Sequence, residues 1–246
     1  MRIGLVCAVA VVLTAPVSGQ SRGWVDLSIV SVQPAQGQQD YRLERTVFGE
    51  LGRIESSYPA LPRRTGVELG GGVGVAKGLG VGIMATRAKT FYAGSVRVSM
   101  PHPFFFNRFA TDMGASETIT RTDTRLDLSA VYLVPSRPAW RVRVFGGPSR
   151  LSVTEGLIGR VTWMQKADVL DNRLNITSVT TETVTGSAWG WHAGGDVAYF
   201  PSRYVGVGGG VRLSNGSVSV TEPLTAAPTD LDAGSVMVGA GLRFRF

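Results

Sequence analysis

The sequence contains few of the residue types that carry chemistry in active sites. Among 246 residues there are one cysteine and two histidines. Cys7 lies in the first apolar run, so a chain that loses this run has no thiol for disulfides, thiol catalysis or zinc binding. His102 and His192 have neither an i,i+4 partner nor the carboxylate spacing of a metal motif. We therefore expect no bound metal and no cofactor.

Long hydrophobic runs are also missing after residue 19. No later stretch reaches about 18 apolar residues, so the sequence predicts no transmembrane helix. Charged residues make up 17% of the chain and apolar residues 43%, which excludes a disordered protein. The formal net charge is +7, but the arginines alternate with apolar residues instead of forming a basic patch. Nucleic-acid binding is therefore not expected.

Residues 1–19 have the order of parts found in a secretory signal peptide. Arg2 precedes an apolar run over 3–13, and a breaker segment around Pro16 follows. This run is too short for a membrane anchor, which needs about 20 apolar residues. We expect export and cleavage after this segment, which leaves a mature domain over 20–246.

Alternation with a period of two dominates the mature chain and predicts β-strands. In the last such segment, apolar residues from Val236 to Phe246 alternate with small and charged ones. Successive side chains of a strand point to opposite faces, so each predicted strand has one apolar face and one small or polar face. Eight segments have this character: 24–32, 66–76, 79–100, 121–134, 140–153, 186–200, 204–220 and 233–246.

The connections between these segments alternate strictly in length. A soluble β-sandwich would show the same alternation of side chains, so only the connection lengths distinguish a sandwich from an outer-membrane barrel. Tight periplasmic turns and long outer loops are typical of an outer-membrane barrel with both termini in the periplasm. The short connections are 77–78, 135–139 and 201–203, and the long ones are about 33–65, 101–120, 154–185 and 221–232.

The last segment ends in Phe246, preceded at alternate positions by Phe244, Leu242 and Ala240. This pattern is similar to the signal that the barrel assembly machinery reads, and the mature chain resembles small eight-stranded bacterial outer-membrane β-barrel proteins. The resemblance implies an all-β fold, a closed antiparallel up-and-down transmembrane β-barrel in the bacterial outer membrane. It also implies a monomer in contact with outer-membrane lipids and lipopolysaccharide. The barrel has eight strands, or ten if the connection 33–65 adds two strands to the wall.

The inward face of such a barrel holds charges of both signs. An eight-stranded barrel is just wide enough for side chains to fill it, so we expect these charges to pair and to plug the lumen. Inward glycines such as Gly72 and Gly208 leave room for long arginines, or for a thin water path. The candidate members of the polar network are Asp26, Glu68, Arg125, Asp127, Arg141, Arg143, His192, Asp196, Arg212, Arg243 and Arg245.

Aromatic residues near the strand ends are expected to form girdles at the membrane interfaces. The run 104–106, three phenylalanines, is expected to anchor there too, and the alternative is that it grips an apolar ligand or partner. Segment 79–100 is about twice the length of a membrane span, so it should project beyond the membrane or contain a bulge near 87–90. The girdle candidates are Trp24, Tyr132, Trp140, Trp189, Trp191, Tyr199, Phe200, Tyr204, Phe244 and Phe246.

No set of catalytic residues stands out. A lipid-modifying enzyme would need a serine and histidine pair facing the lipid, but parity turns His192, with Asp196 nearby and Ser187 or Ser214 as partner, into the lumen. We therefore expect no enzyme, and a structural or surface-interaction role for the outer loops. The alternatives are a narrow channel or small-molecule transporter, then a lipid-modifying enzyme, and a soluble periplasmic β protein.

Overall fold

The computed structural model describes residues 23–168 and 172–246, so the signal-peptide prediction for 1–19 lies outside the described residues. None of the described residues forms a helix that could cross a membrane. The strands are β1 Gly23–Pro34, β2 Gln39–Val47, β3 Glu50–Tyr58, β4 Arg64–Ala76, β5 Leu79–Tyr92, β6 Ser95–Pro101, β7 Phe109–Ala115, β8 Ile119–Val134, β9 Trp140–Ala167, β10 Asn172–Tyr199, β11 Val205–Asn215, β12 Ser217–Thr221, β13 Pro228–Asp232 and β14 Ser235–Arg245.

Eight of these strands form a closed barrel in the order β1, β14, β11, β10, β9, β8, β5 and β4. Every neighbouring pair is antiparallel, and the ladder between β1 and β14 runs from Trp24 opposite Arg245 to Pro34 opposite Ser235. The predicted eight-stranded closed barrel is confirmed. Strands β2 and β3 lie outside the ring, so the ten-stranded alternative is wrong. A closed sheet leaves no unpaired edge, which is the condition for crossing hydrocarbon with strands.

The outer face of the ring is an apolar belt. Leu27 and Ile29 on β1 are 49% and 65% exposed, although large apolar side chains of a soluble protein are mostly buried. Each of the other seven ring strands contributes similar residues. The belt therefore faces lipid around the whole circumference, as in an integral outer-membrane barrel. Its members include Leu27, Ile29, Val67, Leu69, Val81, Ile83, Leu126, Leu128, Val144, Trp191, Val197, Val207, Val211, Val238 and Leu242.

Two expected girdle residues point the other way. Trp24 and Phe200 are 5% and 4% exposed. Trp24 shares the inward parity of Asp26 on the same strand, so its ring enters the lumen instead of the membrane interface. Trp189, Trp191 and the remaining members keep at least partial exposure.

The two ends of the barrel differ greatly. At one end the strands are joined by the short links 77–78, 135–139 and 200–204, which marks the periplasmic side. At the other end β9 and β10 continue as 28-residue strands far beyond the belt. Most of the connection expected over 154–185 is therefore strand, because its polar residues keep the alternating pattern and the two strands pair along their length.

The remaining strands pack on this extension and form a distal domain. Strands β2, β3, β6 and β7 make a four-stranded sheet, and β12 pairs with β13. These strands occupy much of the expected outer loops 33–65, 101–120 and 221–232. Their inner faces and the upper parts of β9 and β10 share a core that includes Ile54, Tyr58, Val96, Val98, Met100, Leu157, Ile158, Val161, Leu174, Val218 and Leu231.

The third predicted segment, 79–100, is divided between the barrel and the distal domain. The ladder between β5 and β8 continues without a register shift to Tyr92 opposite Ile119. The expected bulge near 87–90 is therefore wrong, and the projection beyond the membrane is what the structure shows. After Tyr92 the chain leaves the wall and enters β6, which pairs with β3 and β7.

Candidate functional site: a filled lumen and a distal domain

The end of the lumen nearest the periplasm holds a group of four charges that we call the lower tier. Asp196 on β10 accepts hydrogen bonds from Arg143 Nη2 at 2.6 Å and from Arg243 Nη2 at 2.7 Å. Asp26 on β1 accepts from Arg143 Nη1 at 2.7 Å, and Ser28 Oγ accepts from Arg243 Nη1 at 2.7 Å. Two carboxylates thus balance two guanidinium groups from four strands.

The middle tier lies above it and is built around Arg212. Its guanidinium binds Asp127 Oδ2 at 2.6 Å and forms an ion pair with Glu68. Thr86 Oγ1 donates at 3.2 Å to Glu68 Oε2, the oxygen that pairs with Arg212. The second cation of this tier, Arg125, donates from Nη2 to the carbonyl oxygen of Ala233 at 3.0 Å and to a serine hydroxyl. This tier again contains two acidic and two basic side chains.

The upper tier closes the lumen below the distal domain. Arg121 donates from Nε to Asp123 Oδ1 at 2.9 Å and from Nη1 to Glu155 Oε2 at 3.1 Å. Asp123 also pairs with Arg64, and the Tyr92 hydroxyl donates to Glu155. Arg121 is completely buried. A third balanced group of two carboxylates and two arginines results, so the charges of each tier are compensated inside the barrel.

Eight of the eleven predicted network residues are buried in the lower and middle tiers, and a ninth, His192, is buried beside Asp127. The other two, Arg141 and Arg245, lie half-buried at the periplasmic end. Arg245 lies 4.1 Å from the centre of the Phe200 ring and donates to the carbonyl oxygen of Arg203 at 2.8 Å. Its place is therefore the rim of the barrel, where it ties the periplasmic turns together, rather than the charge network.

An aromatic ring fills space at the periplasmic end of the lumen. Trp24 covers the bottom of the lumen, beside Gly72 and Gly80, where a β-carbon would collide with its ring. These glycines therefore make room for a tryptophan, not for an arginine. Among the described residues, two lumen cavities have volumes of about 40 and about 20 Å³, and they share no lining residue. Each has room for one or a few water molecules.

His192 is 1% exposed and bound on both ring nitrogens by serine hydroxyls. Ser129 Oγ lies 2.8 Å from Nε2 and Ser149 Oγ lies 2.9 Å from Nδ1. The nearest carboxylate oxygen, on Asp127, is 3.7 Å from Nδ1. The partners expected from sequence were different, because Asp196 belongs to the lower tier and Ser214 bonds to Ser235.

The distal sheet presents a charged outer surface. Arg42 Nη2 lies 2.8 Å from Glu55 Oε1, and Arg53 Nε lies 3.2 Å from Glu44 Oε1, all four being substantially solvent-exposed. At the inner side, burial in the distal core raises the pKa of the Tyr58 phenol above its usual value. The Tyr58 hydroxyl accepts a hydrogen bond from the backbone N–H of Ile158 at 2.7 Å.

The phenylalanines at 104–106 lie at the far end of the distal domain, so the expectation that they anchor the barrel in its own membrane is wrong. The loop that holds them joins β6 to β7, and β7 packs on β10. Gln165 near the end of β9 donates to the carbonyl oxygen of Pro101 at 2.9 Å, and His102 Nε2 lies 3.1 Å from the carbonyl oxygen of Asp168. The loop is thus level with the tip of the longest hairpin.

The whole upper tier was missed by the sequence reasoning. On β8, Arg121 and Asp123 share the inward parity of Arg125 and Asp127. Applying the same parity to these two earlier positions would have found them. Arg64 and Glu155 had no such signal, because both fall in segments that the sequence suggested were loops. The serine partners of His192 come from β8 and β9 and could be identified only once the register was known.

No family model and no curated protein matches the sequence. Among solved structures, the outer membrane protein OprG from Pseudomonas aeruginosa is 14% identical, with 92% of this chain and 96% of that chain covered and a TM-score of 0.49. Neisserial surface protein A is 14% identical, with coverages of 91% and 96% and a TM-score of 0.44. Ail, the attachment invasion locus protein of Yersinia pestis, crystallised with the heparin analogue sucrose octasulfate, is 12% identical, with coverages of 91% and 99% and a TM-score of 0.38.

These identities are too low to say anything about role. The fold assignment comes from the molecule itself, since a closed antiparallel ring, a continuous exposed apolar belt and a charged interior are together what strands that cross a lipid bilayer require. The chain is a small eight-stranded β-barrel protein of the bacterial outer membrane.

Proposed function

We propose that the protein is a non-conducting outer-membrane anchor that presents a folded β-domain at the cell surface for interaction with an external partner. The observation that carries this proposal is the filled lumen. Three balanced tiers and the Trp24 ring fill the lumen, and the two lumen cavities found among the described residues are small and separate. The alternative of a narrow channel would need continuous space along the barrel axis.

The distal domain supports the interaction half of the proposal. It has its own buried core and ordered strands, whereas connections that serve only to join strands tend to be short and mobile. The apolar belt covers all eight ring strands, which supports a monomer surrounded by outer-membrane lipids and lipopolysaccharide. Contact with the barrel assembly machinery through Phe246 and the alternate residues before it stays a prediction.

We also propose that the protein is not an enzyme. His192 and its serine partners are enclosed by the barrel wall, and the adjacent space of about 40 Å³ is too small for any lipid substrate. The carboxylate nearest to the imidazole does not orient it, because Ser149 occupies that nitrogen. These features support a structural role for the histidine as a link between strands.

Single-channel recording in planar bilayers tests the proposal. The wild-type barrel should give no conductance steps. A variant with alanine at Trp24 and at the charged residues of all three tiers should conduct, provided that it still shows the heat-dependent gel shift of a closed barrel. The matched control replaces the exposed quartet Arg42, Glu44, Arg53 and Glu55 by alanine and should stay silent. Stable, reproducible conductance of the wild type would refute the proposal.

A further inference from the structure

The distal domain ends in a cluster of exposed apolar side chains that we call the apolar cap. Phe104 and Phe106 are 70% and 76% exposed, the highest values among the large apolar residues identified as exposed. They stand on the loop between β6 and β7, and Phe48 stands on the turn between β2 and β3. Asn107 N donates to Glu50 Oε1 at 2.8 Å, which holds these two turns together. The cap consists of Phe48, Leu51, Phe104, Phe105, Phe106 and Phe109.

The backbone beneath the cap is held in place. His102 is buried, accepts a hydrogen bond on Nδ1 from Phe104 N at 3.0 Å, and has its other ring nitrogen against the Asp168 carbonyl oxygen. Phe48 and Gly49 form a two-residue turn with positive φ at both positions, as tight hairpins require. The exposed rings are therefore presented by anchored turns, so little ordering is needed when they meet a partner.

The cap is too far from the barrel to rest in its own membrane. Arg150 on β9, opposite Trp189, marks the top of the belt. The strand then continues for about 18 residues to the level of Asp168, which is about 60 Å of strand. With the usual strand tilt of about 40°, the cap stands about 45 Å above the bilayer surface. Solvated apolar rings at this distance need a different partner.

Basic residues lie close to the cap. The Arg108 guanidinium lies 5.2 Å from the centre of the Phe105 ring. Arg45 lies near the end of β2, and Lys166 faces Arg173 across the end of the longest hairpin. Exposed phenylalanine and leucine side chains with basic residues nearby are the chemistry of segments that insert into the interface of an anionic bilayer, and Glu50 is an acidic residue that also lies at the cap.

We propose that the apolar cap inserts into the headgroup region of an opposing phospholipid bilayer that carries anionic lipids, so that the protein bridges two membranes. A lipid surface fits better than an apolar patch on a protein because the most exposed rings stand on a turn. The cap side chains also carry no hydroxyl, amide or indole N–H for a partner to satisfy, whereas anchors at protein interfaces are enriched in tryptophan, tyrosine and arginine. This goes beyond the proposed function, which requires only that the distal domain be displayed.

Cosedimentation tests this inference with the full-length barrel held in phosphatidylcholine nanodiscs. The wild type should bind large sucrose-filled vesicles that contain phosphatidylglycerol, and its partition coefficient should fall on adding salt or on using pure phosphatidylcholine vesicles. The F104S/F106S variant should lose at least about tenfold in partition coefficient, since two apolar rings are removed from the contact. F106W should retain binding because it keeps a large ring.

Phe91 provides the matched control, since it is 58% exposed on the outer face of β5, well below the cap. F91S should bind vesicles as the wild type does. Limited trypsin digestion of each variant should report the same resistant distal domain. Absence of wild-type cosedimentation, equal binding by F104S/F106S, or equal binding to neutral and anionic vesicles would each overturn the inference. Conductance measurements remain independent, so a failed vesicle assay leaves the proposal of a sealed anchor untouched.

Discussion

Removing the shared carboxylate of the lower tier should destabilise the barrel far more than removing an exposed one. Asp196 accepts hydrogen bonds from both Arg143 and Arg243 and is 5% exposed. Asp196→Asn keeps the size of the side chain but leaves two guanidinium groups with one carboxylate. Breaking a buried ion pair by removing one partner typically costs about 3–5 kcal/mol.

The remaining contacts place the expected loss near the lower end of that range. Arg143 keeps Asp26 at 2.7 Å, and Arg243 keeps the Ser28 hydroxyl at 2.7 Å. We therefore expect D196N to lower the free energy of unfolding by about 3 kcal/mol. Glu55→Gln is the matched control, because its pair with Arg42 is exposed and such pairs contribute at most about 1 kcal/mol.

Urea unfolding in lipid vesicles, followed by tryptophan fluorescence and by the mobility of unheated samples on gels, measures both variants. A second variant, D196N/R243Q, restores the balance of charges in the tier and should recover part of the loss. If D196N and E55Q were equally stable, the view that the tier must be balanced inside the barrel would be refuted.

Three further perturbations test other parts of the structure. Trp24→Ala should cost about 3–5 kcal/mol, because it empties the floor of the lumen beside Gly72, and equal urea midpoints for variant and wild type would contradict this. Burial raises the pKa of the Tyr58 phenol. The contribution of the neutral phenol to the free energy of unfolding is therefore complete below about pH 10 and declines as the pH rises further. Tyr58→Phe should therefore lose about 1 kcal/mol at pH 8 and show a smaller alkaline decline in urea titrations; a parallel decline would refute the assignment. His192→Ala should lower the unfolding free energy by about 1–3 kcal/mol, with neither variant nor wild type deacylating lipopolysaccharide, and wild-type hydrolysis would contradict the non-enzymatic role.

The barrel could be predicted from the sequence because each ring strand carries its own evidence. Alternation and connection length are local properties, and they gave the closed eight-stranded ring and the inward side of residues such as Asp127 and Arg143. For Trp24, the rule that aromatic residues at strand ends form interface girdles gave the wrong prediction. Its place at a strand end suggested a girdle, although the parity of its own strand placed it inside the lumen.

The distal domain could not be predicted because its structure depends on distant pairings. Strand β3 pairs with β6, about 40 residues later, and no local pattern indicates that partnership. The upper parts of β9 and β10 carry threonine, glycine and charged residues, so they resemble loop sequence until the core they enclose is known. The Arg64 and Glu155 members of the upper tier were lost for the same reason.

The cross-links within the tiers also bear on how the strands find their alignment. Sliding one strand by two positions along its neighbour would keep each outward residue toward lipid and each inward residue toward the axis, so hydrophobicity alone tolerates the error. The same displacement would move a guanidinium about 7 Å from its carboxylate. Both charges would then be buried without a partner. The ion pairs of the arginines therefore fix the register of the barrel strands, selecting one register among several that have the same apolar outer face.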